Sequence, residues 1–246
     1  MMAETCLLID IGNSRIKWAW ASGGELQTER AGQGDFAALE RACRPAAASR
    51  PGDVLLASVA GADRARQVFE LCSVRWDLAP RVLRSREQQG GVRNAYAEPE
   101  KLGVDRWLAA VGAVAVHGAP VLVWDLGTAS TLDAVDASGQ HLGGWILPGP
   151  ATMLASLVKG TKLTVPEDLE ETPALEPGRS TAECIRRGVL AAQLGALDQF
   201  MKHTAHRIGD SPRLVVTGGA ADAVLARAGI EHIRDPWLVF RGMLVD

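Results

Sequence analysis

The sequence predicts an α/β protein made of two similar lobes. Three observations predict this class: 47% apolar residues in a chain of 246, strand-like and helix-like segments that alternate, and an early motif that returns in the second half. A chain of this length can form one large domain or two of ordinary size, and the repeat favours two. We expect lobes at residues 1–117 and 118–246.

The repeat begins with an apolar strand that ends in Asp-x-Gly. The segment "LLIDIGNSRIKWAWASGG" (7–24) corresponds to "VLVWDLGTASTLDAVDASGQ" (121–140). In each copy a second strand follows the glycine turn, and "ASG" then provides a turn into a third strand, "ELQTERA" or "HLGGWIL". Two copies of one three-strand meander predict two lobes of the same design.

Helices and further strands follow each meander. In the first half, "DFAALERACRPAA" and "ADRARQVFELC" have helical spacing, and "DVLLASVAG" and "RVLRS" are strand-like. In the second half, Ser180 and Glu183 form a capping box that opens a helix over roughly 181–208. "RLVVTGG" (213–219) predicts a strand with a double-glycine turn, "AADAVLARAG" a helix, and the irregular stretch 161–180 a surface excursion.

Charge, hydropathy and cysteine spacing exclude several classes of protein. Lys and Arg total 26 against 29 Asp and Glu, which gives no support to a nucleic-acid or anionic-membrane surface. The start lacks the features of a signal peptide. The apolar window 107–124 is interrupted by His117, Gly118 and Pro120, so we predict a buried helix and then a buried strand. Four scattered cysteines are typical of packed free thiols, and we expect a cytoplasmic protein.

The two Asp-x-Gly turns are candidate phosphate loops. The P-loop and dinucleotide signatures are missing from the sequence. Gly12 and Gly127 would let the backbone approach an anion, and the nearby hydroxyl and amide side chains would add donors. Asp10 and Asp125 could hold a cation, or its water shell, against phosphate oxygens.

A single Asp-x-Gly turn also has an ordinary interpretation, because such tripeptides are common in hairpins. Two copies at matching points of a repeat, with a "TGG" turn (217–219) after a third buried strand, favour a nucleotide site instead. Facing lobes would clamp a polyphosphate between the loops. Strand alternation predicts that Lys17, which follows the first loop, turns away from this cleft.

Five motifs carry a resemblance to a known family: "DIGNS" (10–14), "NAYAEPEKLGVDRW" (94–107), "DLGTAST" (125–131), "GGWILPG" (143–149) and "STAECIRRG" (180–188). Over essentially its full length the chain resembles type III pantothenate kinase, also called the Bvg accessory factor family. That family belongs to the acetate and sugar kinase, chaperone ATPase and actin superfamily, with a ribonuclease H-like duplicated fold. Ser14 departs from the threonine common in the family but keeps the hydroxyl.

The resemblance implies ATP-dependent phosphorylation of pantothenate to 4′-phosphopantothenate, the first step of coenzyme A biosynthesis. It also implies Mg²⁺, a monovalent cation (K⁺ or NH₄⁺) held partly by Asp125, and a homodimer. The implied ATP-binding residues are Asp10, Ile11, Gly12, Asn13, Ser14, Arg15, Ile16, Lys17 and Thr128. The implied pantothenate-binding residues are Tyr96, Gly103, Val104, Asp105, Arg106 and Thr181, with Asp105 as general base.

The residues alone leave alternatives open in this acceptor motif. Asp105 is placed to accept a proton or to cap its helix, and Thr181 could also be a cap. Arg106 could bind an anionic substrate group or form a surface salt bridge. Tyr96 lies in a polar loop, which favours ligand contact. Two other functions remain as alternatives: a same-fold kinase for a sugar or another small acid, and a nucleotide-binding regulatory accessory protein.

Overall fold

The computed structural model describes residues 5–44, 50–159, 175–226 and 229–246. These residues form two compact units, one comprising the chain up to Val116 with Leu238–Asp246, the other His117–Trp237. The C-terminal helix therefore lies with unit 1, whereas the division at residues 117 and 118 assigned it to the second lobe. Periodicity along the chain identifies a helix but does not reveal which sheet it packs on. Of the predicted excursion 161–180, residues 161–174 lie outside the described residues.

Unit 1 is built on a five-stranded sheet with the order β3-β2-β1-β4-β5. Its strands are β1 (Thr5–Ile11), β2 (Ile16–Ser22), β3 (Glu25–Gly34), β4 (Asp53–Ser58) and β5 (Arg81–Val82). The first three form the predicted antiparallel meander, and β4 and β5 continue the sheet in parallel. A two-stranded ribbon, β6 (Gln88–Gln89) and β7 (Val92–Arg93), and a 3₁₀ turn (Pro99–Lys101) precede the third helix.

The helices of unit 1 are α1 (Phe36–Ala42), α2 (Ala62–Trp76), α3 (Val104–His117) and the C-terminal α7 (Leu238–Met243). Alternation in β1 and β2 turns one row of large apolar side chains, among them Ile9, Trp18 and Trp20, into a core shared with α1 and α2. Helix α7 contacts β1. Its Gly242 allows a close crossing with α3, because a β-carbon there would overlap the carbonyl oxygen of Leu108.

Unit 2 repeats the same architecture. Its five-stranded sheet has the order β10-β9-β8-β11-β12, which matches the first sheet strand for strand. The strands are β8 (Val121–Leu126), β9 (Ala129–Val135), β10 (His141–Pro148), β11 (Arg213–Thr217) and β12 (Ile233–Arg234). The helices are α4 (Pro150–Val158), α5 (Thr181–Ile208) and α6 (Ala221–Leu225). The prediction of two lobes with one design is confirmed.

Helix α5 begins where the capping signal predicts. The Ser180 side chain accepts a hydrogen bond from the Glu183 amide at 3.3 Å, and the Glu183 carboxylate accepts one from the Arg179 amide at 2.7 Å. Its apolar residues, including Leu197 and Phe200, share a core with one face of β8 and β9. The apolar window 107–124 is divided between α3 and β8 as predicted. None of the helices in the described ranges is long and apolar enough to cross a membrane.

Candidate active site

The first Asp-x-Gly turn connects β1 to β2. Ile11 pairs with Ile16 at the ends of the two strands, and the Gly12 amide donates to the Arg15 carbonyl at 3.0 Å to close the loop. Both isoleucines pack into the core of unit 1, so only their backbone atoms are available to a ligand. The loop side chains from Asn13 to Arg15 are exposed, as a phosphate loop requires.

Asp10 and Lys17 lie directly opposite each other across β1 and β2. Directly opposed residues of an antiparallel pair project from the same face of the sheet, so Lys17 shares the face of Asp10. Strand alternation predicts that Lys17 turns away from the nucleotide cleft. The observed register links the two side chains, so that Asp10 and Lys17 either both face that cleft or both turn away from it. A carboxylate and an ammonium group therefore flank the base of the first loop.

The first loop is also contacted by Arg64, a residue that the sequence analysis did not identify. Its Nη1 donates to the carbonyl oxygens of Gly12 and Asn13 at 2.9 and 2.8 Å. Arg64 lies in the first turn of α2, far from the loop in sequence. No motif joins the two segments, so only the fold could reveal this contact.

The second Asp-x-Gly turn connects β8 to β9 and is one residue tighter. The Gly127 amide donates to the Ala129 carbonyl at 3.0 Å. The Thr128 carbonyl accepts from the Gly149 amide at 2.9 Å and from the Thr152 hydroxyl at 2.6 Å. A β-carbon at Gly149 would overlap the Gly127 carbonyl oxygen, so the "LPG" at the start of α4 must end in glycine.

The double-glycine turn lies beside the carboxylate of Asp125. Thr217 pairs with Asp125 in the parallel register of β11 and β8. A β-carbon at Gly218 would lie 2.5 Å from the Asp125 Oδ1 atom, and one at Gly127 would lie 3.6 Å from it. Gly218 also has a φ of +92°, a backbone conformation that favours glycine. The structure thus brings the "TGG" turn and the second Asp-x-Gly turn together around one carboxylate.

The acceptor motif forms the start of α3. Val104 begins the helix with a buried side chain, and Asp105 follows in its first turn, half-buried. The Asp105 Oδ1 atom accepts a hydrogen bond from the Arg106 amide at 2.8 Å. A β-carbon at Gly103 would lie only 2.8 Å from the same oxygen, so glycine leaves the space that this carboxylate fills.

Arg106, the residue after Asp105, forms a hydrogen-bonded pair with Tyr96. Arg106 is 7% exposed, and its Nη1 donates to the Tyr96 hydroxyl at 3.2 Å. The Tyr96 amide donates to the Asn94 side chain at 2.9 Å, and Asn94 in turn donates to the carbonyls of Arg86 and Pro99. The surface salt bridge considered for Arg106 is therefore wrong, because α3 buries nearly all residues of its first turns.

Thr181 is the first residue of α5 and is exposed in unit 2, whereas the other predicted acceptor residues belong to unit 1. Ser180, not Thr181, is the N-cap of the helix. The capping alternative for Thr181 is thus removed, and its hydroxyl is left exposed at the helix start.

Comparison with known proteins decides the family. Residues 6–203 match the sequence profile of type III pantothenate kinase. A type III pantothenate kinase from Methylibium petroleiphilum is 38% identical over 260 residues, with 98% of this chain and 97% of the relative covered. The chain belongs to the type III pantothenate kinase family. The resemblance carried by the five motifs is confirmed.

Solved structures show the fold of this kinase family member at low sequence identity. A chain assigned to the Baf family of transcriptional activators in Campylobacter jejuni has a TM-score of 0.62 at 19% identity, covering 96% of this chain and 94% of that one. The activator of 2-hydroxyisocaproyl-CoA dehydratase from Clostridium difficile has a TM-score of 0.55 at 11% identity, covering 98% and 91%. At these identities the likeness concerns the fold alone, and it agrees with the duplicated fold of the superfamily.

Proposed function

We propose that this enzyme transfers the γ-phosphoryl group of ATP to the primary hydroxyl of pantothenate, giving 4′-phosphopantothenate at the first step of coenzyme A biosynthesis. One combination of features carries the proposal: matching Asp-x-Gly turns in two sheets of identical strand order, together with a glycine-spaced Asp105 at the start of α3. Phosphoryl transfer to an alcohol needs aligned reactants and neutralised charge more than covalent chemistry by the protein.

The two turns are proposed to bind the phosphates of ATP. Each offers a glycine backbone for close approach to an anion, and Thr128 and Ser14 add hydroxyl donors. The shared face of Asp10 and Lys17 supports a role for both, since the ammonium group can contact phosphate while the carboxylate orients a hydrated cation.

Asp105 is proposed to accept the proton of the pantothenate hydroxyl as its oxygen bonds to the γ-phosphorus. The bond from that phosphorus to the bridging oxygen breaks, and ADP leaves with the electron pair. The close fit of Gly103 against the Asp105 Oδ1 atom supports this role, because it holds one carboxylate oxygen while the helix start favours the ionised form. The alternative is that Asp105 serves only its hydrogen bond to the Arg106 amide.

The Arg106–Tyr96 pair is proposed to recognise the carboxylate and amide end of pantothenate. The guanidinium is buried and always charged, so it provides a fixed positive potential next to Asp105. The Tyr96 oxygen accepts from Arg106, which orients its own O–H as a donor. Thr181 would add a hydroxyl from the start of α5.

The acidic residues of the loops fit the proposed metal ions. Because Gly127 and Gly218 have no side chains, backbone atoms flank the Asp125 carboxylate. Hard cations prefer oxygen ligands such as those of a carboxylate. Among the described residues no three His, Cys, Asp or Glu form a metal cluster. Mg²⁺ that is bound mainly through substrate phosphates needs only one or two carboxylates. Asp10 would help to hold Mg²⁺, which would supply positive charge to neutralise the phosphates, and Asp125 would hold part of the shell of K⁺ or NH₄⁺.

A homodimer is proposed because the resemblance to the family implies one and because the edge strand β10 of unit 2 exposes a large apolar side chain. Ile146 is 63% exposed. The neighbouring Trp145 projects to the opposite face of the strand, where its ring packs on Phe200 and His203 of α5. Light scattering of wild type and Ile146→Glu tests the proposal: loss of a dimer in the variant is expected, and a monomeric wild type contradicts it.

Three buried free thiols fit a reducing, cytoplasmic location.

A coupled ADP-release assay across acceptors tests the substrate. Pantothenate should stimulate ADP release, whereas several sugars and acetate should not. Stimulation by a sugar or another small acid would instead identify a same-fold kinase. Nucleotide binding without turnover on any acceptor would favour the regulatory accessory protein.

A further inference from the structure

Arg64 is a side chain outside the predicted site that donates two hydrogen bonds to the first proposed phosphate loop. A single nitrogen, Nη1, donates to the carbonyls of Gly12 and Asn13, at 2.9 and 2.8 Å. The hydrogen bonds cross about fifty positions of the chain, from the first turn of α2 to the turn after β1. Both segments belong to unit 1.

The direction of these two bonds determines where the loop amides point. A trans peptide is planar, and its C=O group and the following N–H group point in opposite directions. Because the carbonyls of Gly12 and Asn13 point toward Arg64, the N–H groups of Asn13 and Ser14 point away from it. Successive N–H groups on one side of a turn form an anion-binding concavity. The Gly12 amide is already used to close the loop on Arg15.

We propose that Arg64 is a positioning residue that holds the first phosphate loop in the conformation presenting the Asn13 and Ser14 amides to the phosphates of ATP. This inference rests on the proposed role of the loop in nucleotide binding. The guanidinium lies on the carbonyl side of the two peptides, and the phosphates would lie on the amide side. Arg64 thus acts through the loop, and fixing the loop before ATP arrives reduces the ordering cost of binding.

Unit 2 contains an equivalent arrangement, which supports the inference independently. There the Thr128 carbonyl is held by the Gly149 amide and by the hydroxyl of Thr152, in the first turn of α4. In both units, donors at the start of a helix bind the carbonyl side of an Asp-x-Gly turn. The chemistry differs, since unit 1 uses a guanidinium where unit 2 uses an amide and a hydroxyl.

The test compares Arg64→Gln and Arg64→Lys with a matched control, Arg66→Gln. Arg66 lies two positions further along the same helix, is exposed, and its nearest acidic group is Asp63 at 3.7 Å. Binding of MgATP is measured by calorimetry without pantothenate, and amide exchange is followed over residues 12–15. KM values for ATP and pantothenate are measured separately.

Arg64→Gln should weaken MgATP binding and raise the KM for ATP about tenfold, the change expected from losing a hydrogen bond to a charged donor. It should also accelerate amide exchange in the loop while leaving the KM for pantothenate and the thermal midpoint unchanged. Arg64→Lys should recover part of both effects, because lysine keeps the charge and N–H donors. Arg66→Gln should match wild type.

Two outcomes would overturn the inference: Arg64→Gln binding MgATP as tightly as Arg66→Gln, or equal loop exchange in the two variants. A failure of the proposed function looks different. In that case wild type would bind MgATP with an Arg64-dependent affinity but would show no turnover with pantothenate.

Discussion

Gly218 lies directly against the carboxylate of Asp125, so that a β-carbon at Gly218 would stand 2.5 Å from Oδ1. Asp125 belongs to β8, and Gly218 directly follows β11, the strand that pairs with β8 in parallel. This contact connects the double-glycine turn to the second Asp-x-Gly turn through a single acidic group. The site in unit 2 thus depends on the absence of a side chain as much as on the carboxylate.

Gly218→Ala should therefore lower kcat/KM for ATP at least tenfold, by displacing the Asp125 carboxylate. It should also lower stability by at least about 1–2 kcal/mol, because alanine disfavours a positive φ and its β-carbon would overlap the backbone of Leu126. Gly219→Ala is the matched control, since a β-carbon there meets nothing within 4 Å. Steady-state kinetics and thermal unfolding of both variants check the prediction. Equal kinetics in the two would show that Asp125 does not need the space beside Gly218.

The monovalent ion provides a second prediction. ATP carries about four negative charges, of which Mg²⁺ neutralises two, and the Lys17 ammonium group proposed beside the first loop would offset only one more. We expect K⁺ and NH₄⁺ to support turnover well and Na⁺ poorly, and Asp125→Asn to lose both rate and this ion preference. The assay exchanges only the monovalent ion at fixed Mg²⁺ and ionic strength. Equal rates in Na⁺ and K⁺ would remove the proposed cation role of Asp125.

Tyr96→Phe should raise the KM for pantothenate about tenfold. The substitution removes an oxygen that accepts a hydrogen bond from the buried Arg106 guanidinium, and losing a hydrogen bond in a buried position is costly. The KM for ATP should stay the same. Kinetics with each substrate varied in turn measure the two values. A rise in the KM for ATP alone would move Tyr96 out of the acceptor pocket.

The cysteines should differ sharply in reactivity. Burial raises the pKa of the Cys6 and Cys72 thiols to about 12 and that of Cys43 to about 11, whereas Cys184 is exposed. At pH 8 a thiol reagent should therefore label one cysteine in the folded protein and four after unfolding, and none quickly in folded Cys184→Ser. Because the folded pKa values exceed the ordinary 9.0, these thiols stabilise the fold below pH 9 and lose that contribution as the pH rises toward 12. Rapid labelling of a second thiol would contradict the burial.

Much of the fold could be predicted from the sequence because its signals are local and repeated. The two meanders, the capping box at Ser180 and the helix at Asp105 each depend on neighbouring residues, and the structure confirms all three. The contacts that complete the candidate site are not local. Arg64 reaches the first loop from another helix, and the placement of Lys17 on the same face as Asp10 depends on the register of β1 and β2. The packing of α7 on unit 1 likewise depends on tertiary contacts that the neighbouring residues do not reveal.

The central claim is that Asp105 supports phosphoryl transfer from ATP to pantothenate. It is tested most directly by pantothenate-dependent ADP release in wild type and in Asp105→Asn, at saturating MgATP and K⁺. We predict that release in wild type requires pantothenate, and that the variant binds ATP normally but turns over about 10²- to 10⁴-fold more slowly, as for loss of a general base. ADP release that ignores pantothenate, or near-normal turnover in Asp105→Asn, would contradict the account and leave Asp105 only its hydrogen bond to the Arg106 amide.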